Sequence, residues 1–377
     1  MMSAAPVSRW PNSARPIRRS PRAACRASIR PISARSIAID RPADPALDPQ
    51  LIERFRPTWL GFVPAHEGAA CFRIVSGGAD SLALLLLAHA VMPGRIVAAS
   101  VDHGLRPEAP AECEFVAEVC ARLSVPHDIL TVELAAGNLQ QEARRARYAA
   151  LYRWALDRKV PIHMMATAHH LDDQIETMTM RLNRGSGLSG LRGIKTFADI
   201  APEGGEPVVA FRPLLGWRRA ELADIVEKAR LVPVSDPSNS DSRFDRARLR
   251  KHLADTDWLD REGWGRSAAL LAEAERALQH FLIEERVTLM KMIDPTDPKW
   301  VFVRPDKPAR PDYADIEQVV YYFTLFDAEI SRSDASSLVK KLKRNRGGNF
   351  AGVLVTPGEY QGKPAWIFQR EPPRKTG

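Results

Sequence analysis

Six residues near position 80 combine glycine, hydroxyl and carboxylate groups in a way that suits phosphate chemistry. They are Ser76, Gly77, Gly78, Ala79, Asp80 and Ser81. They follow one short apolar run and open a longer one, which predicts a strand, a tight turn and a helix. Backbone N–H groups and a helix N-terminus can hold a phosphate in this context, and paired glycines allow close approach. Taken alone, the six residues are equally consistent with an ordinary strand-to-helix turn.

The carboxylate of Asp80 limits which phosphate chemistry is expected. A carboxylate repels phosphates unless a divalent cation such as Mg²⁺ bridges the two. No Gly-Lys-Ser or Gly-Lys-Thr follows the glycines, so this is not the Walker loop that holds a terminal phosphate.

The segment 168–177 places two His and two Asp after another apolar run. Paired His and paired Asp predict a divalent-cation site. Mg²⁺ is usually bound by one or two carboxylates together with substrate phosphates, so Asp173 and Asp80 would suffice. Asp173 and Glu176 also have the spacing of a helix capping box, so we do not expect every polar group here to bind metal.

Asp102 and His103 follow a third apolar run. Asp and His beside a glycine at the end of a strand could contact the ribose or base of a nucleotide. A turn with helix-capping side chains is the alternative.

Three clusters of cations could bind a polyanion. Arg144 and Arg147 lie on a long predicted helix, where they could bind a leaving phosphate or an RNA backbone, with a solvated helix face as the alternative. Two further clusters suggest RNA, and solvated helix faces are the alternative. Their members are Arg243, Arg246, Arg248 and Arg250, and Lys340, Lys341, Lys343 and Arg344.

The net charge of +8 comes from the start of the chain. Residues 1–39 contain eight Arg and no acid, and the rest of the chain carries 46 basic and 46 acidic residues. The RNA interpretation therefore depends on local clusters. The Arg-, Ser- and Pro-rich start resembles an organellar transit peptide, and a disordered basic arm or an over-extended gene start are the alternatives.

Composition also excludes some classes of protein. No apolar run approaches the roughly 18 residues that a membrane span needs. The four Cys form no C-x-x-C pair, which argues against a zinc knuckle or a dithiol redox site. Cys113 and Cys120 are expected to be buried thiols, which fits a reducing compartment.

Strand and helix patterns alternate from about residue 71 to residue 183. Strands are predicted at 72–75, 96–101, 127–132 and 162–167, and helices at 81–92, 109–123, 140–158 and 173–183. Further along, a last strand is predicted at 211–215 and one amphipathic helix at 266–292. This alternation predicts an α/β fold with a doubly wound, mostly parallel sheet, whose ligands bind at the carboxyl ends of the strands. We expect three regions: a disordered extension at 1–45, a catalytic domain at 46–257, and a helical then α+β region at 258–377.

Together the motifs resemble those of the tRNA(Ile)-lysidine synthases, a family of the PP-loop ATP-pyrophosphatase superfamily. Residues 76–81 match the superfamily's SGGxDS. In chain order the others are VDHGLR at 101–106, AR..RY at 143–148, AHHxDDQxET at 168–177, RGSG at 184–187, RPLL at 212–215 and DPSN…R…R from 236 to 250. One departure is Ala247, where many members carry Asn.

The resemblance implies a Rossmann-like fold and a two-step reaction. ATP adenylates the C2 carbonyl oxygen of the wobble cytidine in a CAU-anticodon tRNA(Ile), and pyrophosphate leaves. The ε-amine of free L-lysine then attacks C2 and expels AMP, which leaves lysidine.

The resemblance also implies roles for particular residues. Residues 76–81, with Asp102 and His103, would bind ATP, and Asp80 and Asp173 would hold Mg²⁺. Arg144 and Arg147 would contact the adenylate or the RNA, and the distal basic cluster would lie in a tRNA-binding region. A homodimer and a bacterial cytoplasm are expected, or an organelle if the extension is a transit peptide.

Two rival functions remain open at this point. One is another PP-loop tRNA-modifying or adenylating enzyme. Cytidine thiolases generally need paired Cys, and a glutaminase-fused enzyme would carry an N-terminal Cys, whereas this chain begins Met1-Met2-Ser3. The other is a non-catalytic nucleotide- or RNA-binding protein, against which the retention of Asp80 beside both glycines argues.

Overall fold

The computed structural model describes most of the chain from residue 47 onward. The described residues are 27–30, 47–61, 71–74, 77–102, 104, 107–132, 139–157, 164–200, 205–206, 208–234, 245–294, 299–304 and 310–372. The chain divides into two compact units, Met1–Met180 with Gly193–Gly265, and Arg181–Arg192 with Arg266–Gly377. The boundary between the catalytic domain and the C-terminal region, which was placed at 257/258, stays a prediction.

The first unit is built on a seven-stranded sheet with helices between the strands. The strands are β1 (Ala27–Arg30), β2 (Cys71–Ile74), β3 (Ile96–Asp102), β4 (His127–Val132), β5 (Met164–Ala166), β6 (Phe197–Asp199) and β7 (Val209–Phe211). The helices that begin in this unit are α1 (Pro49–Leu60), α2 (Ala79–Val91), α3 (Ala109–Arg122), α4 (Leu139–Leu156), α5 (Leu171–Asn183), α7 (Arg219–Lys228), α8 (Asp245–Ala254) and α9 (Arg261–Leu289), and α6 (Leu188–Leu191) falls in the second unit.

The sheet order is β1-β4-β3-β2-β5-β7-β6. Strands β4, β3, β2, β5 and β7 are parallel, and β1 and β6 pair antiparallel at the two edges. The chain passes from β2 through β3 to β4 on one side, and then returns to β5 on the other side of β2. The strand order therefore reverses between β2 and β5, which is where ligands bind in open α/β sheets. The predicted doubly wound, mostly parallel fold is confirmed.

Three elements differ from the sequence prediction. A strand predicted around 211–215 is β7 at Val209–Phe211, and the antiparallel strand β6 was not predicted. A helix predicted at 266–292 runs from Arg261 to Leu289, because residues from Met290 onward pair as a strand with a later strand. Tertiary strand pairing, which local periodicity does not report, decided these boundaries.

Four residues of the extension predicted to be disordered form a strand. Ala27–Arg30 lie between Pro21 and Pro31 and contain no proline, so each N–H can pair with the edge of β4. These four residues are a strand, the rest of 1–45 lies outside the described residues, and the extension as a whole stays a prediction.

Helix α2 lies in the middle of the core. Its residues Leu82–Ala88 are buried around the whole helix, as expected for a helix that is covered on every side. Phe55 and Trp59 of α1 are fully buried in the same cluster. This packing fixes the helix whose N-terminus follows the glycine turn.

The second unit has an antiparallel sheet with two helices on one face. Its elements after α9 are β8 (Met290–Asp294), β9 (Lys299–Val303), α10 (Asp312–Thr324), α11 (Arg332–Lys343), β10 (Gly348–Phe350), β11 (Val353–Tyr360) and β12 (Lys363–Arg370), and its sheet order is β10-β11-β12-β9-β8. Tyr322 of α10 stacks on Phe368 of β12 with ring centroids 4.5 Å apart. The α+β character predicted for this end of the chain is confirmed.

Two expectations from composition concern the described residues. Cys113 and Cys120 are buried, as predicted, and burial raises the pKa of Cys113 to about 11, with help from the charge of Asp102. Within the described part of the chain, no helix combines the length and the apolar character needed to cross a bilayer.

Candidate active site

The glycine turn after β2 leads directly into α2. Gly77 is buried and has φ +74°, a conformation that other residues rarely adopt. Gly78 is the N-cap, in an extended conformation and without a side-chain cap, so the first N–H groups of α2 have no side-chain partner from the cap. These groups lie at the reversal point of the sheet, where an anion would be stabilised. Ser76 lies outside the described residues.

Val234 fixes the conformation of this turn. Its N–H donates to the carbonyl of Gly77 at 3.0 Å. A Cβ added at Gly77 would lie 3.1 Å from Cγ2 of Val234. The chain after α7 therefore packs directly against the glycine turn.

Asp80 and Asp173 lie near each other across the reversal point, and their role as Mg²⁺ ligands stays a prediction. His170 lies between them, with Nε2 at 3.4 Å from Oδ2 of Asp80 and 3.5 Å from Oδ2 of Asp173. The Oδ1 atom of Asp80 is buried and has no hydrogen-bond partner among the described residues. An unpartnered carboxylate oxygen beside a second carboxylate favours binding of a cation.

The first turn of α5 is capped by His170 and Asp173. The His170 N–H donates to Oδ2 of Asp173 at 3.2 Å, and the Asp173 N–H points to Nδ1 of His170 at 3.4 Å. This reciprocal pair occupies the capping-box positions, which the sequence reading assigned to Asp173 and Glu176. The capping box was predicted three residues too late in the sequence, because α5 begins at Leu171. Glu176 is buried and is not part of the cap.

The electrostatics of the cluster are dominated by its carboxylates. Burial lowers the pKa of His170, but the hydrogen bond to Asp80 and the charges of Asp173, Asp80 and Asp172 outweigh it, and the net pKa is raised. Burial raises the pKa of Asp173, but the neighbouring His170, His169 and Arg246 lower it below its usual range. Asp173 is therefore a carboxylate at neutral pH.

Glu176 is held by two guanidinium groups from α8. Its side chain is 2% exposed. Arg246 Nε donates to Oε2 at 3.0 Å, and Arg250 Nε donates to Oε1 at 2.7 Å and Nη2 to Oε2 at 3.2 Å. The hydrogen bond to Glu176 raises the pKa of Arg250, and the charges of Asp173 and Asp80 add to the effect. These hydrogen bonds give both oxygens of the buried Glu176 side chain charged partners.

Asp172 connects α5 to later parts of the chain. Its Oδ2 accepts the N–H of Arg219 at 2.7 Å, and its Oδ1 lies 3.6 Å from Nε of Arg261. Because each of its oxygens has such a contact, Asp172 is not expected to act simply as a metal ligand. A cavity of about 150 Å³ lies beside them, and Asp172, Glu176, Arg219, Arg250 and Arg261 are among its lining residues.

Asp102, predicted to contact a nucleotide, accepts the N–H of Gly104 through Oδ1 at 2.9 Å. This is the Asx turn of an ordinary loop, which was the alternative interpretation. His103 lies outside the described residues, so the nucleotide role of the pair stays a prediction.

The predicted phosphate- and RNA-binding cations lie in different places. Arg147 is exposed on α4, while Arg243 and the side chain of Arg144 lie outside what the structure describes. In the second unit, Lys340, Lys341, Lys343 and Arg344 are exposed at the end of α11. Lys343 pairs with Asp312 at 2.5 Å and with Asp315 at 2.9 Å.

The residues present fit a hard divalent cation such as Mg²⁺. Asp80 and Asp173 offer carboxylate oxygens, which Mg²⁺ prefers, and one buried oxygen of Asp80 is unpartnered. The described residues contain no group of three or more His, Cys, Asp or Glu placed to hold a metal ion by themselves. A bound cation would therefore complete its coordination with phosphate oxygens or water.

Sequence reasoning missed three residues of this site. His170 was treated as one of several ligands, whereas it bridges Asp80 and Asp173. Glu176 was assigned to a helix cap. Nothing in the sequence except its place in the motif indicates that its side chain is buried. Val234 is an ordinary apolar residue in sequence, and only the contact with Gly77 reveals it.

Comparisons with known proteins agree with this geometry. A family profile described as a PP-loop domain matches residues 62–256. A tRNA(Ile)-lysidine synthase from Novosphingobium aromaticivorans is 41% identical over 324 residues, which cover 86% of this chain and 94% of that protein. The corresponding protein of Zymomonas mobilis is 38% identical over 309 residues, covering 80% and 88% of the two chains.

Solved structures with a similar fold are more distant. The U34-tRNA thiolase NcsA from Methanococcus maripaludis is 17% identical, has a TM-score of 0.47, and is matched over 61% of this chain and 80% of that chain. The sequence relatives, which match over nearly their whole length, are the stronger finding. The matched profile and these relatives show that the chain belongs to the tRNA(Ile)-lysidine synthase family of PP-loop proteins.

Proposed function

We propose that this protein joins free L-lysine to C2 of the wobble cytidine of a CAU-anticodon tRNA(Ile), using ATP to adenylate that base. The observation that carries the proposal is the convergence of the glycine turn, Asp80 and Asp173 at the reversal point of the sheet. The relatives named tRNA(Ile)-lysidine synthase supply the reaction, because they match most of the chain.

The proposed first step is attack of the C2 carbonyl oxygen of cytidine on the α-phosphate of ATP. The N–H groups at the start of α2 and the turn around Gly77 would hold the phosphates and stabilise the pyrophosphate that leaves. The absence of a Walker lysine fits a loop that releases pyrophosphate instead of transferring a terminal phosphate.

Asp80 and Asp173 would hold Mg²⁺. When bound, the cation would offset the charge that accumulates on the departing pyrophosphate. His170 keeps both carboxylates in place through its contacts with each of them. Asp173 is ionised at neutral pH and is therefore ready to bind a cation.

The second step needs a neutral lysine ε-amine. The amine attacks C2, AMP leaves with the electron pair of the C2–O bond, and the attacking nitrogen loses a proton to a base. Four carboxylates lie within or next to the site, Asp80, Asp172, Asp173 and Glu176, but Glu176 is enclosed by two arginines. The acceptor of the proton is therefore expected among the first three or in solvent.

A direct assay tests this function. The protein is incubated with isotopically labelled lysine, ATP, Mg²⁺ and CAU-anticodon tRNA(Ile), and the digested nucleosides are analysed by mass spectrometry. We expect labelled lysidine in this tRNA and none in a tRNA(Ile) with a GAU anticodon. Absence of lysidine in a verified substrate tRNA would refute the proposal. ATP-dependent adenylation of a different base would instead support another PP-loop tRNA-modifying enzyme.

The location is proposed from the organisms of the relatives, and the assembly from the family resemblance. The relatives are bacterial proteins, which favours a bacterial cytoplasm and gives no support to an organellar location. A homodimer, implied by the family resemblance, stays a prediction that light scattering coupled to size-exclusion chromatography would test.

A further inference from the structure

The arginines of α8 were predicted to bind RNA, but two of them contact a buried carboxylate of α5, and of these the Arg246 side chain is 44% exposed. Arg246 and Arg250 are four residues apart and share one helix face, and both bind Glu176. Arg248 lies about 200° around the helix from Arg246 and is exposed. The basic cluster of the sequence is therefore divided between two faces with different surroundings.

Glu176 connects these arginines to the proposed cation site. It lies one turn after Asp173 on α5, and it is almost completely buried. Arg246 also donates to Thr177 at 3.1 Å, so α8 is attached to two consecutive residues of α5. Two guanidinium groups on one buried carboxylate fix both the rotation and the position of α5.

A second described contact holds the other half of the site. Val234, which precedes α8 in the sequence, donates its N–H to the carbonyl of Gly77. The turn after β2 is thus contacted by Val234, and helix α5 is contacted by α8. The charge of Arg246 also lowers the pKa of Asp173, and that of Asp80 acts on Arg250.

We propose that Arg246 and Arg250 are positioning residues for the nucleotide step, which act through Glu176 to hold Asp173 opposite Asp80, and that they are not contacts to RNA phosphates. The proposal rests on the proposed function only in taking Mg–ATP as the ligand of this site. Arg248, an exposed residue on the opposite face of α8, is a matched comparison within the same basic cluster.

Binding measurements with Arg250→Ala and Arg248→Ala separate the two roles. For Arg250→Ala we expect the affinity for a non-hydrolysable ATP analogue with Mg²⁺ to fall about 10- to 100-fold, as for other groups that orient ligand-holding side chains. Its tRNA affinity should keep the wild-type dependence on salt. Arg248→Ala is the control in the same helix, and we expect its analogue affinity to be unchanged.

Two further variants show whether Arg250 acts through Glu176. Arg250→Lys keeps the charge but loses the two-pronged contact, so it should still show weakened analogue binding. Glu176→Gln combined with Arg250→Ala should be no worse than the more damaging single change, because both remove one contact. Amide hydrogen exchange in Leu171–Thr177 should be faster in each of these variants, while exchange in α2 stays unchanged.

Several results would overturn the proposal. A smaller salt slope with intact analogue binding in Arg250→Ala would assign Arg250 to RNA. If Arg250→Ala binds the analogue normally but can no longer be saturated with lysine, Arg250 would be assigned to lysine binding. Wild-type protein that binds the Mg–ATP analogue but forms no lysidine would refute the proposed function alone, since the positioning role is read from binding and exchange. If Arg250→Ala fails to fold in thermal melting, Arg250→Lys carries the test.

Discussion

Gly77 and Gly94 have the same backbone torsion, φ +74°, in different surroundings. A Cβ at Gly94 would meet no atom within 4 Å, whereas one at Gly77 would meet Val234 at 3.1 Å. Both glycines therefore meet the backbone requirement of a turn, and only Gly77 also meets a requirement for close packing.

Alanine at each of these glycines gives a matched pair of variants. Both should lose about 1–2 kcal/mol of stability, because a side chain is strained at this φ. Only Gly77→Ala should also weaken Mg–ATP binding, since Val234 and the turn must move apart. Isothermal titration and chemical denaturation measure both effects, and equal nucleotide affinities in the two variants would contradict the assignment of this turn.

Asp80→Asn tests the carboxylate with the unpartnered oxygen. Pyrophosphate release should fall at least about 100-fold, because a bound cation contributes several kcal/mol to such a step. Binding of tRNA should change little. Asp224→Asn is the control, since Asp224 is two-thirds exposed on α7 and pairs only loosely with Lys228 at 3.6 Å. Unchanged turnover in Asp80→Asn would remove Asp80 from the cation site.

At the scale of elements, the neighbouring strands β3 and β4 contain a buried polar pair away from the site. Oγ of Ser100 lies 2.9 Å from Nε2 of His127, and Nδ1 of His127 has no hydrogen-bond partner among the described residues. Burial lowers the pKa of His127 to about 4, although the charge of Asp128 opposes this. The folded protein therefore holds this imidazole in its neutral form.

This pair predicts a loss of stability in mild acid. The unfolded chain takes up a proton at His127 below its usual pKa of about 6.5, and the folded chain does so only near pH 4. Stability should be fully present above pH 6.5 and fall by up to about 3 kcal/mol as the pH drops to about 4.

Urea denaturation of the wild type and of His127→Gln between pH 4 and pH 7 measures this effect. The variant should lose the part of the pH dependence that His127 contributes. Parallel curves for the two proteins would show that other groups cause the acid sensitivity.

For the whole molecule, the distal basic cluster lies in the second unit, on the exposed end of α11. Replacing Lys340, Lys341 and Arg344 with Gln should weaken tRNA binding and reduce its salt slope by up to about 3, since each phosphate contact contributes about 1. Mg–ATP binding should be unchanged. Lys343 is kept, because its pairing with Asp312 and Asp315 stabilises α10 against α11.

Lys363→Gln is the control for this experiment, since Lys363 is an exposed cation of β12 in the same unit. Filter binding at several salt concentrations gives the slopes. An unchanged slope in the triple variant would contradict a tRNA-binding role for the α11 cluster.

The class of fold was predictable from the sequence, and so were the residues whose types suit phosphate and cation chemistry. Apolar runs of strand length alternate with apolar runs of helix length. This pattern is a local property of the sequence, and the strands and helices of the structure follow it. The glycines, Asp80 and Asp173 were also found from sequence, because their residue types limit the chemistry they can perform, and the order of the motifs indicated the family.

Only the tertiary structure decided what the remaining polar residues do. Arg246, Arg248 and Arg250 look alike in sequence, yet two of them bind Glu176 and the third faces outward. The capping partner of Asp173 is His170, and Val234 fixes Gly77 across more than 150 positions of sequence. Such contacts depend on which strands become neighbours when the chain returns past β2, and no local pattern contains that information.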